Sequence, residues 1–327
     1  MEAKADPGWP SIKQGGEFVQ LNQGYRRARH LLHHRCDPLV RALKKRPAAP
    51  EYHLFRSIED YERSRGRIEQ THRDWLRAAL ASGGHLESLM FFCATCGRWV
   101  WGLIEPPIQD TEAAGPSLRE TLACPSCGLN NRMRALIQLL QEHLQVGGDA
   151  EIFLAEHTTP MRTALTARYC RLVSSEYLRD GTPPGGINAQ GVRHEDLTAL
   201  SFDDDRFDAV LSFEVFEHIA DYQQALAESA RVLRPGGYLI FSVPFHRGDR
   251  HTVRARLLAD GTIEHLLPPE FHGDPIDPTG CLCFYHFGWE MLEDLHKAGF
   301  QEAQVVQIWW PPCGYLGDDL LLFVARR

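Results

Sequence analysis

No uncharged apolar run in the 327 residues is long enough to span a bilayer, and no apolar segment follows a basic start. No membrane association is therefore expected, and the chain reads as soluble and cytoplasmic. Positive charge is also in short supply. The 35 Lys and Arg stand against 43 Asp and Glu, a formal net charge of −8, which gives no global attraction to phosphate or anionic lipid. A G-x-G-x-x-G fingerprint is missing, which argues against a nicotinamide-dependent oxidoreductase. Internal repeats and low-complexity tracts are missing too. What the chain does have is a hydrophobic content of 43%, enough to fill a core. Its length suggests two domains, or one with a sizeable extension.

Cysteine is plentiful, with nine in the chain. Four form two C-x-x-C-G knuckles, Cys93-Ala-Thr-Cys96-Gly97 and Cys124-Pro-Ser-Cys127-Gly128. Two intervening residues let both sulfurs of a knuckle turn to one ion, and the glycine permits the φ > 0 turn that aims amides at the thiolates. Cys93, Cys96, Cys124 and Cys127 thus supply a complete tetrahedral set for a structural zinc, with no open position for catalysis. Disulfides, free thiols and an iron–sulfur cluster fit this spacing and an intracellular chain less well. The intervening segment 105–120, rich in Pro, Gly and charge, is expected to be exposed. Cys36, Cys170, Cys281, Cys283 and Cys313 read as packing residues. Cys281 and Cys283 face the same way on a strand, but a second metal site there is the less favoured reading.

Three regions follow. Residues 1–90 lack strand signals and carry helical periodicity, clearest over 57–82 with Asp60 as a cap; residues 91–130 form the zinc ribbon. A helix over 132–145, ended by Gly147-Gly148, leads into a third region that completes 131–327. Residues 25–47 carry eight Lys and Arg and three His against one acid. A solvated helix face is the ordinary explanation of such a stretch, and phosphate contact the sharper one.

The stretch 207–245 is the most informative. Residues 207–213 read as a buried parallel strand, and Glu214, Glu217 and His218 crowd its C-terminal end, where open α/β sheets bind ligands. Asp221 caps a helix with apolar positions at Leu226, Ala230 and Val232. Pro235-Gly236-Gly237 is read as its stop, and 238–245 as the returning strand. This block, with Arg231-Val232-Leu233-Arg234-Pro235-Gly236-Gly237 as its most specific part, resembles the class I S-adenosylmethionine-dependent methyltransferases over roughly 150–327. The resemblance implies an α/β, Rossmann-like fold: a seven-stranded, mostly parallel sheet flanked by helices. It also implies S-adenosyl-L-methionine (SAM) as cofactor.

The residues then take expected places. After the first strand, AEIFLAEH (150–157), the family's glycine-rich loop is replaced by Ala155, Glu156, His157 and Thr158-Thr159-Pro160. This is similar to a branch of the family with an Ala-Pro-Glu-like segment there. Ala155 is small, Thr159 is placed to N-cap a helix, and Pro160 to begin it. Glu176, followed by Tyr177, ends the second strand, where an acid can accept from both ribose hydroxyls. By the resemblance, Asp196 accepts the adenine amino group, Leu197 packs on the ring, and Ser212, Phe213 and Glu214 lie beside the methionine moiety. The insert 246–287, rich in histidine, is expected to cover the substrate. Its His246, His272, Asp274, Tyr285 and His286, with His218, are the candidate bases or acceptor contacts. The favoured acceptor is a small molecule, a natural-product or carbohydrate intermediate. The alternatives are an RNA methyltransferase using the basic segment, and a non-catalytic methyltransferase-like scaffold. The sequence assigns neither an oligomeric state nor an individual general base.

Overall fold

The computed structural model describes residues 47, 50–81, 88–104, 118–274, 276–317 and 320–327. The basic segment up to Arg46, Cys36, and most of the loop 105–120 lie outside them. Strands β1 (Glu51–Phe55), β2 (Ser88–Cys93), β3 (Arg98–Leu103), β4 (Glu151–Leu154), β5 (Arg171–Glu176), β6 (Arg193–His194), β7 (Phe207–Phe213) and β8 (Leu233–Ser242) come first. Six short strands follow in the insert: β9 (Thr252–Val253), β10 (Ala255–Leu257), β11 (Ile263–His265), β12 (Phe271–His272), β13 (Cys281–Leu282) and β14 (Tyr285–His286). The chain closes with β15 (Glu302–Trp309) and β16 (Leu321–Arg326). Among the described residues the α-helices are α1 (Ile58–Ala81), α2 (Asn131–Gln138), α3 (Pro160–Thr166), α4 (Tyr222–Val232) and α5 (Met291–Lys297).

The main sheet has the order β1-β15-β16-β8-β7-β4-β5-β6. Its β6-β5-β4-β7-β8 half is parallel, and β16, β15 and β1 add antiparallel pairings. The sheet therefore has eight strands where the resemblance implies seven. The extra one, β1, comes from the region read as lacking strands. Its five residues sit at the outer edge and pair with β15, from Glu51 opposite Trp309 to Phe55 opposite Val305. A short edge strand whose partner lies some 250 residues away in sequence leaves no local signal.

Both faces are covered, as a parallel sheet requires. Phe153, Val210, Leu239, Phe241 and Phe323 pack with α4, α5 and Tyr61 of α1 on one face. Ile152, Leu154, Leu211, Ile240 and Leu322 pack with α2 and α3 on the other. Ile58–Ala81 is helical as the periodicity predicts, but the cap is Ser57, whose Oγ accepts from Asp60 N at 3.2 Å. Asp60 instead reaches back to Arg56 N, closing a capping-box-like pair. Helix α2 runs on into a π-type turn, Leu139–His143.

The turn Pro235-Gly236-Gly237 does not separate helix from strand. Helix α4 ends at Val232 and β8 begins at once at Leu233. Phe207 pairs with Leu233 and Ala209 with Tyr238, so the Pro-Gly-Gly segment is a bulge inside the strand. Gly236, at φ +83°, takes the backbone angle that bulge needs.

Candidate functional site

The first group of candidates lies where the parallel strands end. Ala155 N donates to Leu211 O at 2.8 Å and Glu214 N to Ser242 O at 2.9 Å, which holds the ends of β4, β7 and β8 level. The glycine-free loop after β4 is built on a carboxylate. Glu176 Oε1 accepts from His157 N at 2.7 Å and from Thr158 N and Oγ1 at 2.9 Å each. His157 Nδ1 meets Ser174 Oγ at 2.9 Å. One oxygen of the acid expected to receive ribose hydroxyls is thus committed to the loop, and Oε2 is the one left for a ligand. Thr159 and Pro160 stand at the N-cap and first position of α3 as expected, but the Thr159 hydroxyl makes no capping bond.

Several buried polar atoms here have no partner: Glu156 Oε1, Thr159 Oγ1 and Ser212 Oγ. Orphans of this kind are scarce in folded proteins and mark places where a ligand or water belongs. Burial lifts the Glu156 carboxyl to about 7, against the opposing influence of the neighbouring Thr159 hydroxyl and the Arg132 charge. Asp196 Oδ1 accepts from Thr198 N and Oγ1 at 2.8 and 2.7 Å, forming a tight turn after β6. Leu197 is buried in the core and Tyr177 is exposed. Phe213 packs into the core under α2 and α3.

Glu214 is held by cations the sequence did not single out. Arg119 ion-pairs with it, and Arg132 Nε lies 3.9 Å away while its Nη1 bonds Ser242 Oγ at 3.2 Å. Burial opposes ionisation of Glu214, but Arg119 and Arg132 outweigh it and hold the carboxyl down at about 2. The residue sits at φ +53°, a strained angle for a non-glycine residue that tends to mark functional sites. Of the loop 105–120 the described residues are 118–120, with Leu118 and Arg119 half-buried and Glu120 exposed.

The second group is brought together by the insert. His218 and His272 lie with ring centroids 4.9 Å apart, and both face the Glu217 carboxylate at 3.6 Å. His272 Nε2 and His286 Nε2 share Glu270 Oε1, at 3.0 and 2.9 Å. His246 lies 6.2 Å from His286, ring to ring, and bonds Thr252 Oγ1 through Nε2 at 2.9 Å. Tyr285 stands apart, its hydroxyl donating to Ala220 O. Asp274 accepts from Cys281 Sγ at 2.9 Å, so Cys281 and Cys283 do not act as a pair. Burial raises the Glu217 carboxyl to about 7. Cys283 and the Glu217 and Glu270 carboxylates hold His272 up to about 11. Beside this network lies a cavity of about 260 Å³ lined in part by Tyr222, His251 and Tyr285. His251 Nε2 and Tyr222 OH both bond Asp294 Oδ2, at 3.0 and 2.7 Å. Sequence reading missed Glu270, His251 and Asp294, because only the folded insert brings them beside the strand ends.

The four knuckle cysteines converge. Cys93 and Cys127 sulfurs are 3.9 Å apart, Cys96 and Cys124 sulfurs 3.8 Å, and all four lie within 4.8 Å of one another. A zinc–sulfur bond of ~2.3 Å gives a tetrahedral edge of ~3.8 Å, so the set fits one ion. Gly97 and Gly128 take φ +65° and +72° and donate to Cys93 O and Cys124 O at 2.8 Å.

Residues 165–241 match the sequence profile of a methyltransferase domain. The match runs from α3 to β8 and leaves out the loop 155–160, so it is shorter than the resemblance expected from 150 onward. The chain is 43% identical over 53 residues to a probable S-adenosylmethionine-dependent methyltransferase of Mycolicibacterium smegmatis, covering 16% of this chain and 21% of that protein. It is 32% identical over 120 residues to malonyl-[acyl-carrier protein] O-methyltransferase 1 of Coxiella burnetii, covering 33% and 42%. The chain thus spans less than half the length of these curated relatives. Among solved structures, it overlays an S-adenosylmethionine-dependent methyltransferase from Mesorhizobium loti with a TM-score of 0.38 and 20% identity, covering 60% of this chain and 98% of that one. Among the described residues, no helix is long and apolar enough to cross a membrane.

Proposed function

We propose that the chain is a SAM-dependent methyltransferase acting on a small-molecule acceptor, with a zinc ion of structural role in the four-cysteine cluster. The observation that carries this reading is where the methyltransferase-domain match falls. It covers β5 to β8, whose ends gather Glu176, Asp196 and Glu214 beside the orphaned Glu156 and Ser212. Glu176 Oε2 and Asp196 are the acids suited to ribose hydroxyls and an adenine amino group. Glu156 is suited to the cofactor's ammonium. Bound SAM would supply an activated methyl group on a sulfonium. Because transfer is an in-line displacement, the protein's part is chiefly to orient the acceptor and, for a hydroxyl acceptor, to help remove its proton. His218 and His246, which burial keeps unprotonated, are the imidazoles suited to that task, with His272 and His286 beside them on Glu270.

Calorimetric titration of the full chain with SAM and S-adenosylhomocysteine tests the reading. Micromolar binding supports it, and no heat with either nucleoside overturns it. The commitment of Glu176 Oε1 to the loop favours a second reading, a methyltransferase-like scaffold that does not turn over. Release of S-adenosylhomocysteine in the presence of any acceptor rules that out.

A further inference from the structure

Glu217 is a carboxylate in an unusual position. It lies three residues beyond Glu214 at the same strand end, its side chain has no solvent exposure, and neither oxygen has a hydrogen-bond partner. A buried acid is kept neutral, paired with a cation or bound to a metal, and Glu217 faces groups that fit the last two cases. The groups facing Glu217 are two imidazoles. His218 Nδ1 bonds Leu282 O at 2.9 Å, which makes it the protonated nitrogen and leaves the Nε2 lone pair turned toward Glu217 Oε1, 3.6 Å away. His272 Nε2 bonds Glu270 Oε1 at 3.0 Å, and its Nδ1 lies 3.6 Å from the same Glu217 oxygen.

These separations are too long for hydrogen bonds and close to the spacing of ligands around one ion. With metal–nitrogen and metal–oxygen bonds of ~2.1 Å, tetrahedral neighbours stand ~3.4 Å apart. The three ligand atoms all lie within 4.8 Å of one another. The outer nitrogen of each histidine is held by a carbonyl or a carboxylate, the arrangement that fixes tautomer and ring orientation in metal-binding histidines. Glu270 is itself steadied by His286 and by Arg254, at 2.9 and 3.0 Å.

We propose that Glu217, His218 and His272 form a second metal site, distinct from the cysteine cluster, for a divalent transition cation such as Zn²⁺, Fe²⁺ or Mn²⁺. Two imidazoles and one carboxylate leave coordination positions open, unlike the closed set of four thiolates. The open positions would take an oxygen of the acceptor. That use rests on the methyl-transfer reading, whereas the binding of the ion does not. An acceptor hydroxyl held there would lose its proton to water more readily. Its oxygen then forms the new bond to the methyl carbon as the carbon–sulfur bond breaks, and the sulfonium becomes the thioether of S-adenosylhomocysteine. The competing arrangement is a protonated His272 neutralising Glu217 with no metal present.

The test is the stoichiometry of Zn²⁺ alone, titrated into full-length protein after chelator treatment, with bound metal counted by mass spectrometry. Two ions per chain are expected in the wild type. One is expected in the double variant His218→Ala/His272→Ala and in Glu217→Gln, each shown to be folded by circular dichroism. A wild type that binds one ion overturns the site, as do folded variants that still bind two. Should the double variant not fold, Glu217→Gln, which keeps the side-chain shape, decides the question. SAM titrations on the same samples stay separate: a wild type that binds two ions and no SAM refutes the methyltransferase reading and leaves the metal site standing.

Discussion

Glu156 offers the sharpest test of the strand-end site, because its fold and its proposed use oppose each other. The carboxyl is buried, with one oxygen unpartnered, and is lifted from 4.5 to about 7. At ~1.4 kcal/mol per pH unit, keeping it ionised in the folded chain costs about 3 kcal/mol. The sign follows from proton counting. Below pH 4.5 both folded and unfolded chains are protonated at this residue and it contributes no slope. Between 4.5 and about 7 the unfolded chain has lost the proton and the folded chain keeps it, so stability falls as pH rises. Above about 7 the loss is complete and the slope ends. Glu156→Gln carries no such charge. The difference in unfolding free energy, variant minus wild type, should therefore grow in the variant's favour by about 3 kcal/mol from pH 4.5 to 7.5. Urea denaturation at several pH values measures it, and comparison of the two proteins cancels the other titrating groups. The same substitution should weaken SAM binding, because it removes the charge offered to the cofactor's ammonium. A stability difference that does not change with pH refutes the electrostatic argument. Unchanged SAM affinity refutes the binding role.

Other outcomes follow from single residues. Arg134 is fully buried, stacks over Phe91 at 3.9 Å and donates to Cys313 O, Leu122 O and Gly314 O, so Arg134→Met should cost at least about 3 kcal/mol in urea denaturation. Gly314→Ala should lose more than about 1 kcal/mol by the same assay, since Gly314 sits at φ +68° and an added Cβ would lie 2.6 Å from Phe91 Cγ. Cys124→Ser should abolish binding of the proposed zinc, counted by mass spectrometry, and open residues 88–104 and 118–128 to limited proteolysis. Neutralising Arg26, Arg27, Lys44 and Lys45 should leave function unchanged, with no RNA affinity detectable at low salt. Salt-sensitive RNA binding lost in that variant would instead establish the RNA acceptor.

What was legible in the sequence is what local pattern encodes. The run 207–213 and the helix after Asp221 declare themselves by period, and the two knuckles by spacing. The misreadings share a cause, since each depends on a partner far along the chain. Strand β1 exists because β15 offers it an edge. The Pro-Gly-Gly segment is a bulge because Phe207 claims Leu233 before the chain turns. Glu176 was legible as an acid at a strand end. That it would brace the preceding loop was not, because the bonds run to His157 and Thr158 across two parallel strands. The histidines of the insert could be named as candidates, but not the carboxylates that sort them. Glu217 and Glu270 assign each ring its orientation only once 271–286 has folded against 217–218.

Arg119 and Arg132 link the ribbon to the strand ends. Arg119 lies near the end of the loop between the knuckles and Arg132 in the first turn of α2, four residues past Gly128, yet both reach Glu214 at the end of β7. Glu120 joins them, accepting from Arg132 Nε at 2.8 Å and from Asn130 Nδ2 at 2.9 Å. Behind this cluster, Arg134 ties Leu122 of the ribbon to Cys313 and Gly314 of the closing segment, with its guanidinium wholly buried. The zinc proposed for the four sulfurs would tie together the knuckles on either side of the segment that carries Arg119. Arg119, with Arg132, sets the charge environment of Glu214. In the proposed enzyme the zinc would be structural in its chemistry, while its effect extends through Arg119 to the edge where the cofactor's methionine end is expected.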